Sequence, residues 1–367
     1  MSEGNKKMFP ILLITIAVVA SIGLTQTQAQ PEANFKCIIT QNATCRSITE
    51  YTNPNTTTLK QIQTLFGIKH YLDFLGVNNL PTNTTNSYKV SPNTVIKVPF
   101  QCKCDNGTGK SNHVPQYKIK PGDTLDDIAR TRFASLVKYQ QIQTANKIVD
   151  ADNITAGDTL WIPLPCSCDK VDGNSVMHYA HIVESGSSIE SIAQQFGATQ
   201  PSLLAINGIK DPKSLEAGQI LDVPLPVCNS SVISDSLDFP LLVPNGTYFY
   251  TANECVKCKC DSINNFLLQC DPSNRKPINK WSVCPSTRCS GSVLIGNTTS
   301  TDSCSRTVCD YTGYTSSNIS TAPVTQNTCA AVAPDGGGGN SDSGASRSIL
   351  NKLLVLIHFL LFFVYLL

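Results

Sequence analysis

The sequence predicts an α+β fold: three tandem βααβ modules tied by Cys-x-Cys disulfides, followed by a cysteine-rich, mostly β module. A unit of about fifty residues recurs along the first half of the chain, and repetition on that scale decides architecture before any single segment does. The pairs Cys102/Cys104 and Cys166/Cys168 stand between the copies. Ten of the sixteen cysteines then crowd between Cys228 and Cys329.

The second and third copies show the unit best. Tyr117 to Ala129 (YKIKPGDTLDDIA) runs against Tyr179 to Ala193 (YAHIVESGSSIESIA). Each opens as a short strand and turns at Gly122 or Gly186. Leu125, Ile128 and Ala129 match Ile189, Ile192 and Ala193 at i, i+3, i+4 spacing, which predicts a helix behind the N-cap candidates Thr124 and Ser188. Thr124 and Asp127 have the spacing of a capping box. A second helix carries Ile142 and Ala145, matched by Leu203 and Ile206. It is expected to end at Asn146 or Asn207, a residue type suited to leaving a helix left-handed. Both copies close on a strand, TLWIP to Pro163 and ILDVP to Pro224. In the first, more divergent copy, Thr58, Leu59 and Ile62 open the helix, Asn78 ends the second one, and Val95 to Pro99 is the closing strand.

A βααβ unit with a Gly-Asp-Thr-Leu opening, a mid-repeat Asn and a Gly-Asp-Thr-Leu-x-Ile-Pro closing resembles a LysM domain. Three such units spaced by Cys-x-Cys resemble the plant LysM receptor-like proteins, the group of the chitin elicitor-binding protein and its peptidoglycan-binding relatives. HYAH (178–181) and CVKCKCD (255–261) are similar to the peptidoglycan-sensing branch. The resemblance divides the chain into LysM 1 (46–100), LysM 2 (115–165), LysM 3 (178–226) and a cysteine-rich module (228–329). It implies the disulfides Cys37–Cys104, Cys45–Cys168 and Cys102–Cys166, although six cysteines on their own allow fifteen pairings. Bridges of this kind tie small modules, marginal alone, into one block.

The chain ends point to the cell exterior. Lys6 and Lys7 precede an apolar run from Ile11 to Leu24 and a small-residue cleavage site after Ala29, so residues 1–29 read as a secretory signal peptide. Residues 330–347 read as a flexible Gly/Ser linker and 344–367 as a removable GPI-attachment propeptide, with Ser343 as attachment site and Asn340 or Ser341 as alternatives. The membrane would be reached through the lipid only. Nine sequons, at Asn42, Asn55, Asn83, Asn106, Asn153, Asn229, Asn245, Asn297 and Asn318, and the cysteine count suit the same address. Cys255, Cys258 and Cys260 lack paired histidines, so disulfides are expected there and no metal or cofactor.

A formal charge of +1 lacks the basic stripe that nucleic acid requires. The resemblance implies a neutral β-1,4 glycan containing N-acetylglucosamine, chitin or peptidoglycan, held between the first and last loops of a repeat. In LysM 2 the implied glycan-binding residues are Gly122, Asp123, Thr124, Leu125, Asp150, Ala151 and Ile154. In LysM 3 the alternative set is Gly186, Ser187, Ser188, Asp211, Pro212 and Leu215. Sequons at Asn55 and Asn83 fall on both rims of the first groove, which is therefore expected to be blocked, and LysM 2 is favoured over LysM 3 on the pattern of the family. Trp161 aligns with Lys97 and Asp222 on the outward strand face, where packing against a neighbour explains it better than sugar stacking.

The expected function is a cell-surface pattern-recognition protein that passes its signal in plant innate immunity to a LysM receptor kinase, with homo- or hetero-oligomers forming on a shared polymer. The alternative is a non-signalling scavenger or wall-anchoring protein. A wall hydrolase is the weakest reading and the chain is expected not to be an enzyme: no segment remains for a catalytic domain, and His70, His113, His178 and His181 accompany no nucleophile motif.

Overall fold

The computed structural model describes residues 35–38, 43–278, 281–289 and 291–327. The signal peptide, linker and GPI propeptide, with Asn42 and Ser343, lie outside the described residues. The first repeat runs β1 (Thr44–Tyr51), β2 (Thr57–Thr58), α1 (Leu59–Phe66), α2 (Tyr71–Val77), β3 (Lys89–Val90) and β4 (Ile96–Asp105), and β4 continues into a hairpin with β5 (Thr108–Ser111). The second has β6 (Gln116–Lys118), α3 (Leu125–Asp127), α4 (Tyr139–Ala145) and β7 (Thr159–Trp161). The third has β8 (Val176–Ile182), α5 (Ile189–Phe196), α6 (Gln200–Asn207) and β9 (Ile220–Pro226). Two three-stranded antiparallel sheets follow: β10 (Tyr248–Thr251), β11 (Val256–Lys259) and β12 (Gln269–Pro272), then β13 (Thr298–Thr301), β14 (Ser305–Tyr314) and β15 (Ile319–Asn327).

The repeats are fused rather than strung. Strands β5-β4-β1-β8-β9 form one sheet, in which β1 of the first repeat pairs parallel with β8 of the third, Ile48 opposite Tyr179. The second repeat keeps its own two-stranded sheet, β6 with β7. Its core merges with that of the first: Phe66 and Phe133 meet edge to face at 5.5 Å, and Leu59, Ile62, Leu125, Ile128 and Ile142 pack around them. Tyr179, Ile189, Ile192 and Leu221 of the third repeat share a second core with Phe249, Val256 and Tyr311 of the cysteine-rich module. Cys37–Cys104, Cys45–Cys168 and Cys102–Cys166 cross-link the start of the chain and the two links, while Cys228–Cys260, Cys255–Cys284, Cys258–Cys270 and Cys289–Cys309 staple the C-terminal module.

Three local expectations need correction. The helix opened by Leu125 leaves the α-helical pattern at once and continues as a π-helical turn, Ile128–Arg132; the extra residue places Phe133 fully inside the core and turns Arg132 back toward Asp123. Thr124 caps that helix by accepting from Asp127 N–H at 3.0 Å, but the capping box is not completed. The Asp127 carboxylate is drawn instead toward Arg132, 3.9 Å away. Thr58 with Gln61 and Ser188 with Ser191 do form reciprocal boxes.

The third correction concerns the mid-repeat asparagines, none of which is left-handed; that conformation falls on the next residue, Asn79, Lys147 or Gly208. Asn78, Asn146 and Asn207 act through their carboxamides. Asn146 Nδ2 donates to the carbonyls of Ile142 and Trp161, both at 2.8 Å, and its Oδ1 accepts from Trp161 N–H at 2.9 Å. Asn78 clips Lys97 and Asn207 clips Asp222 by the same three bonds. Each side chain imitates an edge strand and ties the second helix to the closing strand.

Candidate glycan-binding groove

In the second repeat both loops spring from one end of the two-stranded sheet. Lys118 pairs with Thr159, and Ile119 exchanges backbone bonds with Asp158 and Gly157, both at 2.9 Å. The third repeat repeats the device: Ile182 pairs with Ile220, and Val183 bonds Gln219 and Gly218 at 2.8 Å. The first loop turns through Gly122 or Gly186, each at φ +86°, where a side chain would be strained although nothing occupies the space beside it.

The predicted residues separate into loop builders and exposed rim. Asp123 is a builder: its side chain is 4% exposed, accepts from Tyr117 Oη and Lys120 N–H at 2.8 Å each, and lies 3.6 Å from Arg132. Against the cost of desolvation, those donors and the guanidinium hold its carboxyl below the usual range. Burial, with Asp123 alongside, pushes the Tyr117 hydroxyl up to about 12. Leu125 is 1% exposed, so its side chain belongs to the core and only its backbone borders the groove. Asp150 and Asp211 are exposed but accept from the N–H groups two residues on, Asp152 at 3.1 Å and Lys213 at 2.9 Å, closing the same local turn in the two repeats. Ser187 N–H is committed to Glu184 O at 3.1 Å, and Ser188 and Thr124 cap their helices.

The apolar surface that remains comprises half-buried Ala151, Ile154 and Leu215 and exposed Pro212. Val149, on the same loop as Ile154, is 99% exposed and adds an apolar side chain that sequence reasoning did not single out. Its signal was a β-branched residue inside a polar loop, with no periodic element to absorb it. Asn153 is exposed beside Ile154.

The groove of the first repeat is closed by its own chain, beyond anything glycans would add. Strands β2 and β3 pair Thr57 with Val90 and Thr58 with Lys89, and the opening N–H groups of α1, Leu59 and Lys60, donate to Tyr88 O and Asn86 O at 3.1 and 2.7 Å. Among the described residues no such ladder crosses the other two repeats.

The HYAH stretch lies inside the molecule, so it cannot touch a glycan. His178 Nδ1 lies 2.8 and 2.9 Å from the two Asp222 carboxylate oxygens and Nε2 lies 2.8 Å from Asp169 O. His181 Nδ1, Tyr179 Oη and Ile182 N–H converge on the Glu50 carboxylate of the first repeat at 2.7, 2.7 and 2.8 Å. This buried network holds the fused sheet. Asp222, aligned with Trp161 on a face outward for the repeat, is therefore interior to the assembly. Trp161 is half-buried, stacks on His113 at 4.9 Å and donates from Nε1 to Ser111 Oγ at 3.3 Å. It packs against the linking hairpin, away from the predicted groove residues.

Comparison with known proteins identifies the repeats and the family. The LysM domain family model matches residues 117–163 and 181–224. A LysM domain-containing GPI-anchored protein 2 of Arabidopsis thaliana is 43% identical over 94% of this chain and 95% of its own length. A chitin elicitor-binding protein of Oryza sativa subsp. japonica is 41% identical over 90% of both chains. The crystal structure of a receptor-like kinase ectodomain aligns with a TM-score of 0.42 at 21% identity, over 51% of this chain and 94% of that one. The chain belongs to the family of plant LysM domain-containing GPI-anchored proteins.

Proposed function

We propose that this chain is a receptor-like protein at the outer face of the plasma membrane that binds N-acetylglucosamine-containing microbial glycans, chitin or peptidoglycan oligosaccharides, and hands the signal to a LysM receptor kinase. What supports this reading is the half-buried and exposed apolar residues on the loops of the second and third repeats, which no strand ladder crosses among the described residues, in a chain that aligns almost end to end with a chitin elicitor-binding protein. The second repeat is the principal site, with Gly122, Thr124, Ala151, Ile154 and Val149 on its rims; the third, with Gly186, Pro212 and Leu215, is secondary. Backbone amides of the loops would meet the acetamide and the small apolar side chains its methyl group. In the second repeat the carboxylates on the two loops, Asp123 and Asp150, accept N–H groups of their own loops, and the reading put forward is one of binding.

Calorimetry with a chitin octamer and with soluble peptidoglycan fragments tests this. Val149→Glu leaves the core untouched and should weaken binding several-fold, Ile154→Asp should abolish it, and Leu215→Asp should leave the principal site intact. Saturable binding by Ile154→Asp, folded as judged by its melting temperature, would move the site to the third repeat, and no binding by the wild type to either glycan would remove the proposal.

A further inference from the structure

The β4–β5 hairpin that carries Cys102 and Cys104 turns on Asn106-Gly107, both at positive φ (50° and 79°), as a two-residue turn of the primed type demands. Asn106 and Thr108 are the ends of a sequon, and Asn106 is exposed. The turn is held on its far side as well: Cys37 N–H donates to Gly107 O at 3.1 Å, Lys36 bridges to Thr108, and Cys37 is bonded to Cys104. A cavity of about 420 Å³ opens beside it, lined by Asn106 and Thr108 themselves, by Lys103, Asp105 and Lys110 on the hairpin, and by Ser111, His113 and Trp161. One wall is thus an aromatic stack, with His113 held at φ +57° against the indole ring, and the rest is polar.

We propose that the N-linked glycan of Asn106 folds back into this cavity, its first N-acetylglucosamine lying against the His113–Trp161 stack, so that the glycan wedges the Cys-x-Cys hairpin onto the second repeat. The chemistry fits one sugar of this class. Its C–H face suits an aromatic wall, and its hydroxyl and acetamide groups suit two ammonium groups and a carboxylate. A glycan attached at the mouth is present at high effective concentration, whereas a free saccharide would bear the full cost of association. The inference stands apart from the groove proposal, because none of these residues lines a groove.

The test uses the full chain made in plant cells with its glycans and extracted in detergent. Mass spectrometry of the peptide containing Asn106 reads occupancy, and thermal unfolding reads the wedge. Asn106→Asp keeps a residue that tolerates a left-handed turn but removes the sugar, and should lower Tm by about 2 °C. Asn318→Asp, at an exposed turn, should not change it. In a His113→Asn background, which removes the ring but suits positive φ, the effect of Asn106→Asp should vanish. Independently of any variant, trimming glycans to a single N-acetylglucosamine should preserve Tm, and complete removal should lower it. An unoccupied Asn106, an unchanged Tm in Asn106→Asp, an equal loss with and without the His113 ring, or equal Tm after trimming and after complete removal would overturn the proposal.

Discussion

At the scale of single residues, the polar side chains of this protein are spent mainly on construction. Asp123, Asp150 and Asp211 stand where ligand contacts were expected, yet each accepts backbone N–H groups of its own loop. His178 shows how far this goes. It is 2% exposed, and both ring nitrogens face acceptors, an arrangement that favours the imidazolium. Burial opposes the charge, but Asp222 and the Asp169 carbonyl outweigh it and raise the pKa. The folded state therefore keeps a proton that the unfolded chain releases near pH 6.5. This contribution to stability is complete below that pH and is lost as pH rises through the higher folded value. Melting temperature measured across that range should fall with pH in the wild type, and His178→Gln should flatten that slope; equal slopes would place the proton elsewhere.

At the scale of elements, each repeat rests on one asparagine that fastens its second helix to its closing strand. Asn146→Ala would strand the Trp161 N–H and carbonyl in a half-buried position and should destabilise the protein by about 1–3 kcal/mol in urea unfolding. A change within error would mean that water replaces the clip. The Asn was visible in the sequence in all three repeats, and its place at a helix end was read correctly. The left-handed conformation expected of it was not, because helix-end statistics describe the backbone while the selected feature here is a carboxamide reaching fifteen to nineteen residues ahead. The Thr124–Asp127 box failed for a related reason: local spacing could not show that Arg132 competes for the carboxylate.

At the scale of the whole molecule, the cysteine-rich module is part of the structural block that presents the grooves. Helix α2 of the first repeat packs on β10, where Tyr250 N–H donates to Asp73 Oδ1 at 3.1 Å and Tyr248 Oη to Leu80 O at 2.5 Å. Gly76 sits at the contact, and a Cβ there would fall 1.8 Å from Tyr248 O. Gly76→Ala should therefore loosen this docking, lower Tm and expose the module to limited proteolysis, whereas Gly107→Ala, with open space beside it, should register only its local backbone strain. Equal protection of wild type and Gly76→Ala would show that the disulfides suffice.

The sequence by itself determined the repeat, its βααβ order, the caps that start its helices and the loops in which ligand residues were to be sought, because periodicity, turn chemistry and capping act over a few residues and leave a local record. Tertiary structure alone decided that β1 joins β8 across repeats, that the HYAH stretch is buried, that the first groove is roofed by β3, and that Trp161 meets the linking hairpin. Each of these pairs groups distant in sequence, and their free energy comes from burial and hydrogen bonds formed only once those separate segments have come together.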